Sequence, residues 1–280
     1  MSEHLTWPFK NPLEAYEAAR ALTETFGVEA SMADNPALYR EQIRPLNPRY
    51  RDSRGDSRNI SRQQLQDRAH PVTNELYANA VMGVCERLGL LETTHPFDEF
   101  AECCVDAIVV TGGVYSALKQ RTAFAMTDKE RTPIYIIGGS RIADQNEIDA
   151  LEEDGLRRDT HVQESDLARA VVSSYYDSDR HIYVFEPRHT RPDNLIALRE
   201  FAITHPRIQA IAAVTTALYV PFTSYDGEVV RQEYGTEIQV YAGESTPEAV
   251  AKRTLNIYQS EMVKTLDSAA RLQEELLRRK

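Results

Sequence analysis

Three short apolar runs constrain the fold of this chain more than any other feature. They occupy residues 106–113, 133–141 and 208–216, and each is too short for a helix and stops where glycine or hydroxyl residues begin. Buried parallel strands are continuous apolar runs of this kind, and open α/β sheets bind ligands just beyond the carboxyl ends of their strands. The runs therefore predict a parallel sheet with a ligand site at one edge.

Strand and helix patterns alternate from about residue 98 to residue 241. We predict strands at 106–111, 133–137, 182–185, 208–214 and 237–241. We predict helices in the gaps at 114–126, 144–154, 163–175 and 192–204. Strands joined by single helices form βαβ units, whose right-handed crossovers cover both faces of a parallel sheet. The prediction is a three-layer α/β/α, Rossmann-like fold. Asp226-Gly227 and Gly235 also favour a hairpin within 222–241.

The segment before the alternating pattern is predicted to be a helical N-terminal extension. Asn11-Pro12 and Asn35-Pro36 each place a capping residue before a proline at the first helical position, and Gly27 ends the first helix. Because no strand pattern occurs there, residues 1–97 form either a helical cap or a helical layer beside the sheet. Residues 98–280 then form the α/β domain.

The end of the chain is predicted to be one long helix that begins at Thr246-Pro247 and ends at Lys280. Its apolar stripe consists of Val250, Leu255, Tyr258, Met262, Leu266, Ala269, Leu272 and Leu276. Such a stripe packs either against the sheet or against another subunit. A non-catalytic interaction protein or homo-oligomer is therefore the alternative to an enzyme.

Composition restricts the partners and the compartment. A net charge of -11 disfavours a nucleic-acid or membrane-surface role, and no apolar run approaches the length of a membrane span. No secretory signal is visible at the N-terminus, and the three cysteines lack metal-binding spacing, so we expect reduced thiols, a cytoplasmic protein and no metal site. Residues 40–68 contain eight arginines diluted by acids. A solvated loop explains them better than a flap over an anionic ligand.

The residues that we assign to ligand binding lie at or near the predicted strand ends: Gly112, Gly113, Arg121, Gly138, Gly139, Ser140, Arg141, Thr160, Thr215 and Thr216. Glycines let a ligand approach the backbone, and the amides that open the next helix favour an anion. Hydroxyl and guanidinium groups suit a phosphate or carboxylate. Each glycine pair also suits a simple turn, and an arginine on a helix is usually solvated.

Two groups are candidates for proton transfer, Glu164 and His189. Glu164 follows the loop 159–161, in which Asp159 or Thr160 alternatively serves only as a helix cap. His189 lies with a carboxylate and two arginines in the segment 186–191, which alternatively is a solvated loop.

These strand ends together resemble the YdcF/SanA/ElyC-like family, a largely uncharacterised group with a Rossmann-like domain. The family's first strand ends in glycines and is followed by an arginine on the next helix, which 106–113 and Arg121 match. Its second strand ends in Ser/Thr-Gly-Gly or a variant, matched by 136–140, and a threonine with a nearby glutamate follows, for which Thr160 and Glu164 stand.

The family's last motif, Val-Thr-Ser-Ala-Tyr-His-x-Pro-Arg, is only partly matched by residues 214–222. The histidine is replaced by Tyr219 and the arginine by Phe222, so chemistry that depends on those two groups does not carry over. The resemblance covers about residues 100–225. Together with the strand ends, it implies a protein that binds a small anionic, nucleotide-like ligand and catalyses group transfer or hydrolysis on it. No motif identifies a cofactor.

Overall fold

The structure is a computed structural model that describes residues 11–47, 75–92, 104–156, 161–188, 194–243, 245, 247–251 and 253–280. Its strands are β1 Ala107–Val110, β2 Ile134–Ile137, β3 Ile182–Phe185, β4 Ala210–Thr216 and β5 Glu237–Gly243. Its α-helices are α1 Pro12–Thr25, α2 Pro36–Ile43, α3 Glu75–Arg87, α4 Tyr115–Ala125, α5 Gln145–Glu153, α6 Glu164–Ser173, α7 Asn194–Thr204, α8 Val220–Tyr234, α9 Pro247–Ala251 and α10 Leu255–Arg278.

The five strands form one parallel sheet in the order β3-β2-β1-β4-β5. Ile108 of β1 is in register with Ile134 of β2 on one side and with Ala212 of β4 on the other. The chain adds strands outward from β1 to β3 and then returns to build β4 and β5 on the opposite side. This reversal creates a crevice between the ends of β1 and β4, where such folds bind ligands. The predicted fold class is confirmed.

Helices cover both faces of the sheet because alternate strand residues point to opposite sides. Ile108 and Val110 pack with α4 and α6 on one face. Ala107 and Val109 pack with α7 and α8 on the other. All four side chains are fully buried, so β1 lies at the centre of the core.

The N-terminal helices α1, α2 and α3 pack mainly against α10, and α10 in turn packs against α8. Met262, Leu266, Ala269 and Leu272 of the predicted apolar stripe are buried in these contacts. The stripe is therefore covered by this chain. None of the described helices is both long and apolar enough to cross a bilayer.

A buried ion-pair cluster joins α2 to α10. The Asp267 carboxylate accepts hydrogen bonds from Arg40 and Arg44, each 3.0 Å long, and its second oxygen lies 2.7 Å from Arg271. Burial opposes the charged form of Asp267, but the three arginines outweigh it and hold its pKa below the usual value. The N-terminal layer is thus attached by charge as well as by apolar packing.

One prediction about the C-terminal part of the chain is wrong, and a second gives the wrong start for a helix that is present. The predicted hairpin is helix α8, in which Gly227 lets the helix approach β5, since a Cβ there would lie 3.1 Å from Ile238. Gly235 ends that helix in the left-handed conformation. The predicted long C-terminal helix is present as α10, but it begins at Leu255 rather than at Thr246-Pro247. Its start is fixed by Thr254, whose side chain accepts a hydrogen bond from the Ile257 amide. Residues 247–251 form the separate short helix α9.

Candidate functional site

The ends of β1 and β4 meet at the crevice, as the sequence predicts. The Thr111 amide donates to the Val214 carbonyl over 2.9 Å, and the Thr111 and Thr215 hydroxyls are 3.0 Å apart. Residues separated by 104 positions in the chain are therefore neighbours at the sheet edge. Thr215 and Thr216 are the last two residues of strand β4 rather than part of a loop after it.

Arg121 joins the two strand ends. Its Nη1 donates to the carbonyls of Thr111 and Gly112 over 2.8 and 2.5 Å. Its Nε and Nη2 donate to the Thr216 hydroxyl over 3.1 and 2.8 Å. The residue is only 4% exposed. The guanidinium therefore links the ends of β1 and β4 and places a positive charge at this edge of the sheet.

The carboxylate of Glu164 lies directly over the Gly112-Gly113 turn. A Cβ on Gly112 would stand 2.6 Å from Glu164 Oε1, and the Gly113 amide donates to the same carboxylate. Glu164 is the first residue of α6, and its own amide donates to the Arg141 carbonyl over 2.8 Å. The missing side chain of Gly112 thus leaves room for the close approach of a carboxylate from this chain.

Burial raises the pKa of Glu164, which is 3% exposed. The positive charges of Arg141 and Arg121 and the Gly113 amide favour the charged form, while the nearby Glu147 carboxylate disfavours it. Burial and Glu147 outweigh the favourable contacts. A carboxyl with a raised pKa at a sheet edge can hold a proton that an ordinary glutamate would have lost.

Arg141 and Glu147 form a two-pronged ion pair beside this carboxyl. Arg141 Nη1 donates to Glu147 Oε2 over 2.7 Å, and Nη2 donates to Oε1 over 2.8 Å. Glu147 also accepts from the backbone amides of Tyr115 and Asp144, at the starts of α4 and α5. Burial disfavours the Glu147 carboxylate, but these bonds and the charge of Arg141 hold its pKa below the usual value.

Arg141 is predicted to contact a ligand, yet in this structure its donors meet groups of the chain itself. Besides Glu147, its guanidinium donates to the carbonyls of Ile142 and Gly113, both over 3.2 Å. Burial disfavours its charge, but Glu147 and the neighbouring acids hold the Arg141 pKa above the usual value. Arg141 therefore braces the loop after β2 against the Gly112-Gly113 turn.

The second glycine pair lies against helix α6. A Cβ on Gly138 would stand 2.6 Å from Ser165 Cα, and the Gly139 carbonyl accepts from the Ser165 amide over 3.0 Å. Ser140 follows, half-buried. The described left-handed glycines are Gly27, Gly89, Gly155 and Gly235. Gly112 and Gly138 therefore serve close packing rather than a left-handed turn.

A small pocket opens at the ends of β4 and β5. Its volume is about 160 Å³, and it is lined by Gln120, Arg121, Phe124, Thr215, Thr216, Gly243 and Ser245. Pockets for whole small molecules usually measure about 300–1,000 Å³. The pocket therefore suits one polar group of a ligand better than an entire nucleotide.

Some predicted site residues lie outside the described residues: Thr160, His189 and, of the arginine-rich segment, residues 48–68. Glu147, Ser245 and Arg253 belong to the site region but were missed from the sequence. The spacing of Asp144 and Glu147, a capping box, is the signal that could have identified Glu147. Among the described residues, no group of three or more metal-ligating side chains occurs.

No family model matches the chain, and no curated protein matches it. The resemblance to the YdcF/SanA/ElyC-like family stays a prediction, which rests on the strand-end residues alone. The function must therefore be argued from the site. Its components are a buried carboxyl with a raised pKa, two guanidiniums, and a pocket with two threonine hydroxyls.

Proposed function

We propose that the protein is an enzyme that binds a small anionic, nucleotide-like ligand at the crevice between β1 and β4. It catalyses group transfer or hydrolysis there, with Glu164 as the proton donor. The observation that carries the proposal is the position of this carboxyl, which lies buried over the Gly112-Gly113 turn near two arginines, where burial raises its pKa. Carboxyls tuned in this way, in a cleft at the ends of parallel strands, are candidates for acid–base catalysis.

Glu147 provides an internal comparison for this argument. Both carboxylates lie beside Arg141, yet the pKa of Glu147 is lowered and that of Glu164 is raised. A structural ion pair lowers the carboxyl pKa, as at Glu147. Acid–base sites typically contain two carboxyls whose surroundings shift their pKa values in opposite directions.

Hydrolysis of a phosphate ester illustrates the chemistry that we assign to Glu164. The neutral carboxyl donates its proton to the leaving oxygen as the ester bond breaks, and the oxygen of a water molecule bonds to phosphorus. The carboxylate then regains a proton from that water. Arg121 and Arg141 supply the positive field that stabilises the anionic transition state, although their hydrogen bonds go to the chain. His189 remains the second candidate for proton transfer.

The test is a screen of nucleotides and phosphate monoesters, with release of phosphate as the readout. We expect Glu164→Gln to lower the turnover of any active compound by about 10²–10⁴-fold, the usual contribution of a general acid. Glu152→Gln, an exposed change on α5, is the matched control. A Glu164→Gln variant as active as the parent would refute the assignment of the proton donor. A screen without any binding or turnover would contradict the proposed function.

The alternative is a non-catalytic interaction protein. Its predicted apolar stripe on the last helix is used in part within this chain, because the central residues are buried. A filled sheet edge favours this alternative, and the small pocket and the bonds of Arg121 and Arg141 to the chain itself support it. We also propose a cytoplasmic location, supported by the net charge and by the free thiols of Cys85 and Cys104.

A further inference from the structure

Two hydroxyls in the small pocket each accept a hydrogen bond from an arginine. The Thr216 hydroxyl accepts from Arg121 Nε and Nη2. The Ser245 hydroxyl accepts from Arg253 Nη2 over 2.8 Å. Thr216 and Ser245 both line the pocket at the ends of β4 and β5. Two hydroxyls from different parts of the chain therefore border the pocket, and an arginine donates to each of them.

These bonds determine how the two hydroxyls can serve a ligand. A guanidinium can only donate, so both hydroxyl oxygens act as acceptors and keep their own protons for donation. Among the described residues, no acceptor takes either proton. A hydroxyl that accepts from a cation also becomes a stronger donor, because chained hydrogen bonds polarise one another. The pocket thus presents donors, which suit an anion.

Arg253 carries a second observation that points the same way. Its Nη1 is buried, and no acceptor within the part of the chain that the structure describes reaches that atom. A buried donor without a partner is unfavourable, more so when it is charged. Arg253 is half-buried, and the hydrogen bond that its Nη2 donates to Ser245 leaves its Nη1 without an acceptor among the described residues.

We infer that Thr216 and Ser245 form a subsite for a phosphate-type oxyanion, with Arg121 and Arg253 as positioning residues behind them. The inference rests on the proposed function and places the anionic group of the ligand at the ends of β4 and β5. The pocket volume of about 160 Å³ suits one such group, with the rest of the ligand extending toward Glu164 and β1. The Gly112-Gly113 turn is then the place of proton transfer rather than of anion binding.

Titration with inorganic phosphate at constant ionic strength, followed by calorimetry, tests the subsite. We expect wild-type protein to bind phosphate, and Arg253→Met to weaken binding by roughly tenfold or more, in the range of a hydrogen bond to a charged group. Arg253→Lys should restore part of the affinity. Arg231→Met, which removes an exposed arginine paired within α8, is the matched control and should bind like wild type. Acetate should bind more weakly than phosphate.

Thermal unfolding without phosphate separates a ligand role from a structural one. A structural arginine would lower the melting temperature strongly when removed. Arg253→Met should leave it nearly unchanged, because the loss of the hydrogen bond to Ser245 is offset by the removal of a buried donor without an acceptor. Ser245→Ala is the second variant, expected to weaken phosphate binding because it removes one hydroxyl donor of the pocket. Wild-type protein that fails to bind phosphate, variants that bind it normally, or a clearly less stable Arg253→Met would each overturn the subsite.

The two proposals can fail separately. If turnover depends on Glu164 but phosphate binding does not depend on Arg253, the proposed subsite is refuted and the proposed enzyme is supported. If phosphate binding depends on Arg253 but no turnover depends on Glu164, the proposed subsite is supported and the proposed enzyme is refuted.

Discussion

Glu147→Gln should destabilise the protein strongly, since this carboxylate connects three elements. Each of its oxygens accepts two hydrogen bonds. Oε1 accepts from Arg141 Nη2 and the Tyr115 amide, and Oε2 accepts from Arg141 Nη1 and the Asp144 amide. Glutamine keeps one accepting oxygen, so either orientation of its amide loses two of the four bonds.

The size of the effect follows from that count. A hydrogen bond involving a charged group contributes about 1.5–3 kcal/mol, so two lost bonds cost about 3 kcal/mol or more. Removing one partner of a buried ion pair costs a similar amount, about 3–5 kcal/mol. The side chain of Glu147 is only 7% exposed, so solvent weakens these bonds little. For a chain of this size, about 3 kcal/mol lowers the melting temperature by about 6 °C.

Urea unfolding measured across pH provides the assay. The pKa of Glu147 is lowered from 4.5 on folding, so its contribution is fully present above that value and is lost as the pH falls through the folded pKa. The difference in unfolding free energy between wild type and Glu147→Gln should therefore be constant near neutrality and shrink in acid. Glu152→Gln is the control. A neutral-pH difference under about 1 kcal/mol, or one that grows in acid, would refute the reasoning.

Three further predictions follow from the same structure. The pKa of Glu164 is raised on folding, so this residue weakens the fold as the pH rises above the pKa that it has in the unfolded chain. In urea unfolding, Glu164→Gln should therefore gain stability relative to wild type between about pH 4.5 and neutrality. A pH dependence like that of Glu147→Gln would contradict this. Gly138→Ala should lower the free energy of unfolding by about 1–3 kcal/mol, because its Cβ would meet the backbone of α6. Gly83→Ala, in open space within α3, should raise it by about 0.5–1 kcal/mol. Equal melting temperatures of the two variants would argue against the packing role of Gly138. Asp267→Asn should destabilise the protein by about 3 kcal/mol and expose residues 11–47 to limited proteolysis, and unchanged protection would mean that apolar packing alone holds the N-terminal helices.

The sheet could be predicted from the sequence because local and long-range signals agree there. The three apolar runs are strands, and Asn11 and Asn35 cap the first two helices. Helix α8 could not be predicted, since Asp226-Gly227 has the composition of a turn. Its helical state depends on tertiary contacts, as Gly227 packs on Ile238 and Val229 and Val230 are buried in the core.

The candidate site could be predicted in position more than in detail. Parallel strands bring 111–113 and 215–216 to one edge whatever the side chains do. The partner of each side chain depends on geometry that spacing does not reveal. The sequence could not indicate that a glutamate of the chain covers Gly112, or that Glu147 takes the guanidinium of Arg141. Arg253 was not assigned to the site because it falls within the predicted long helix, whereas in the structure it lies between α9 and α10.

The stacking of α1 to α3 on α10 has a consequence for synthesis of the chain. The contact between Arg40 and Asp267 spans 227 residues. Translation at about 5–20 residues per second separates the appearance of these two partners by about 11 to 45 s. The first helices therefore emerge long before the helix that covers them, and their apolar faces stay uncovered until α10 has been made. In the cell, this interval exposes the nascent chain to chaperones, and a premature stop before α10 would leave the N-terminal layer without its partner.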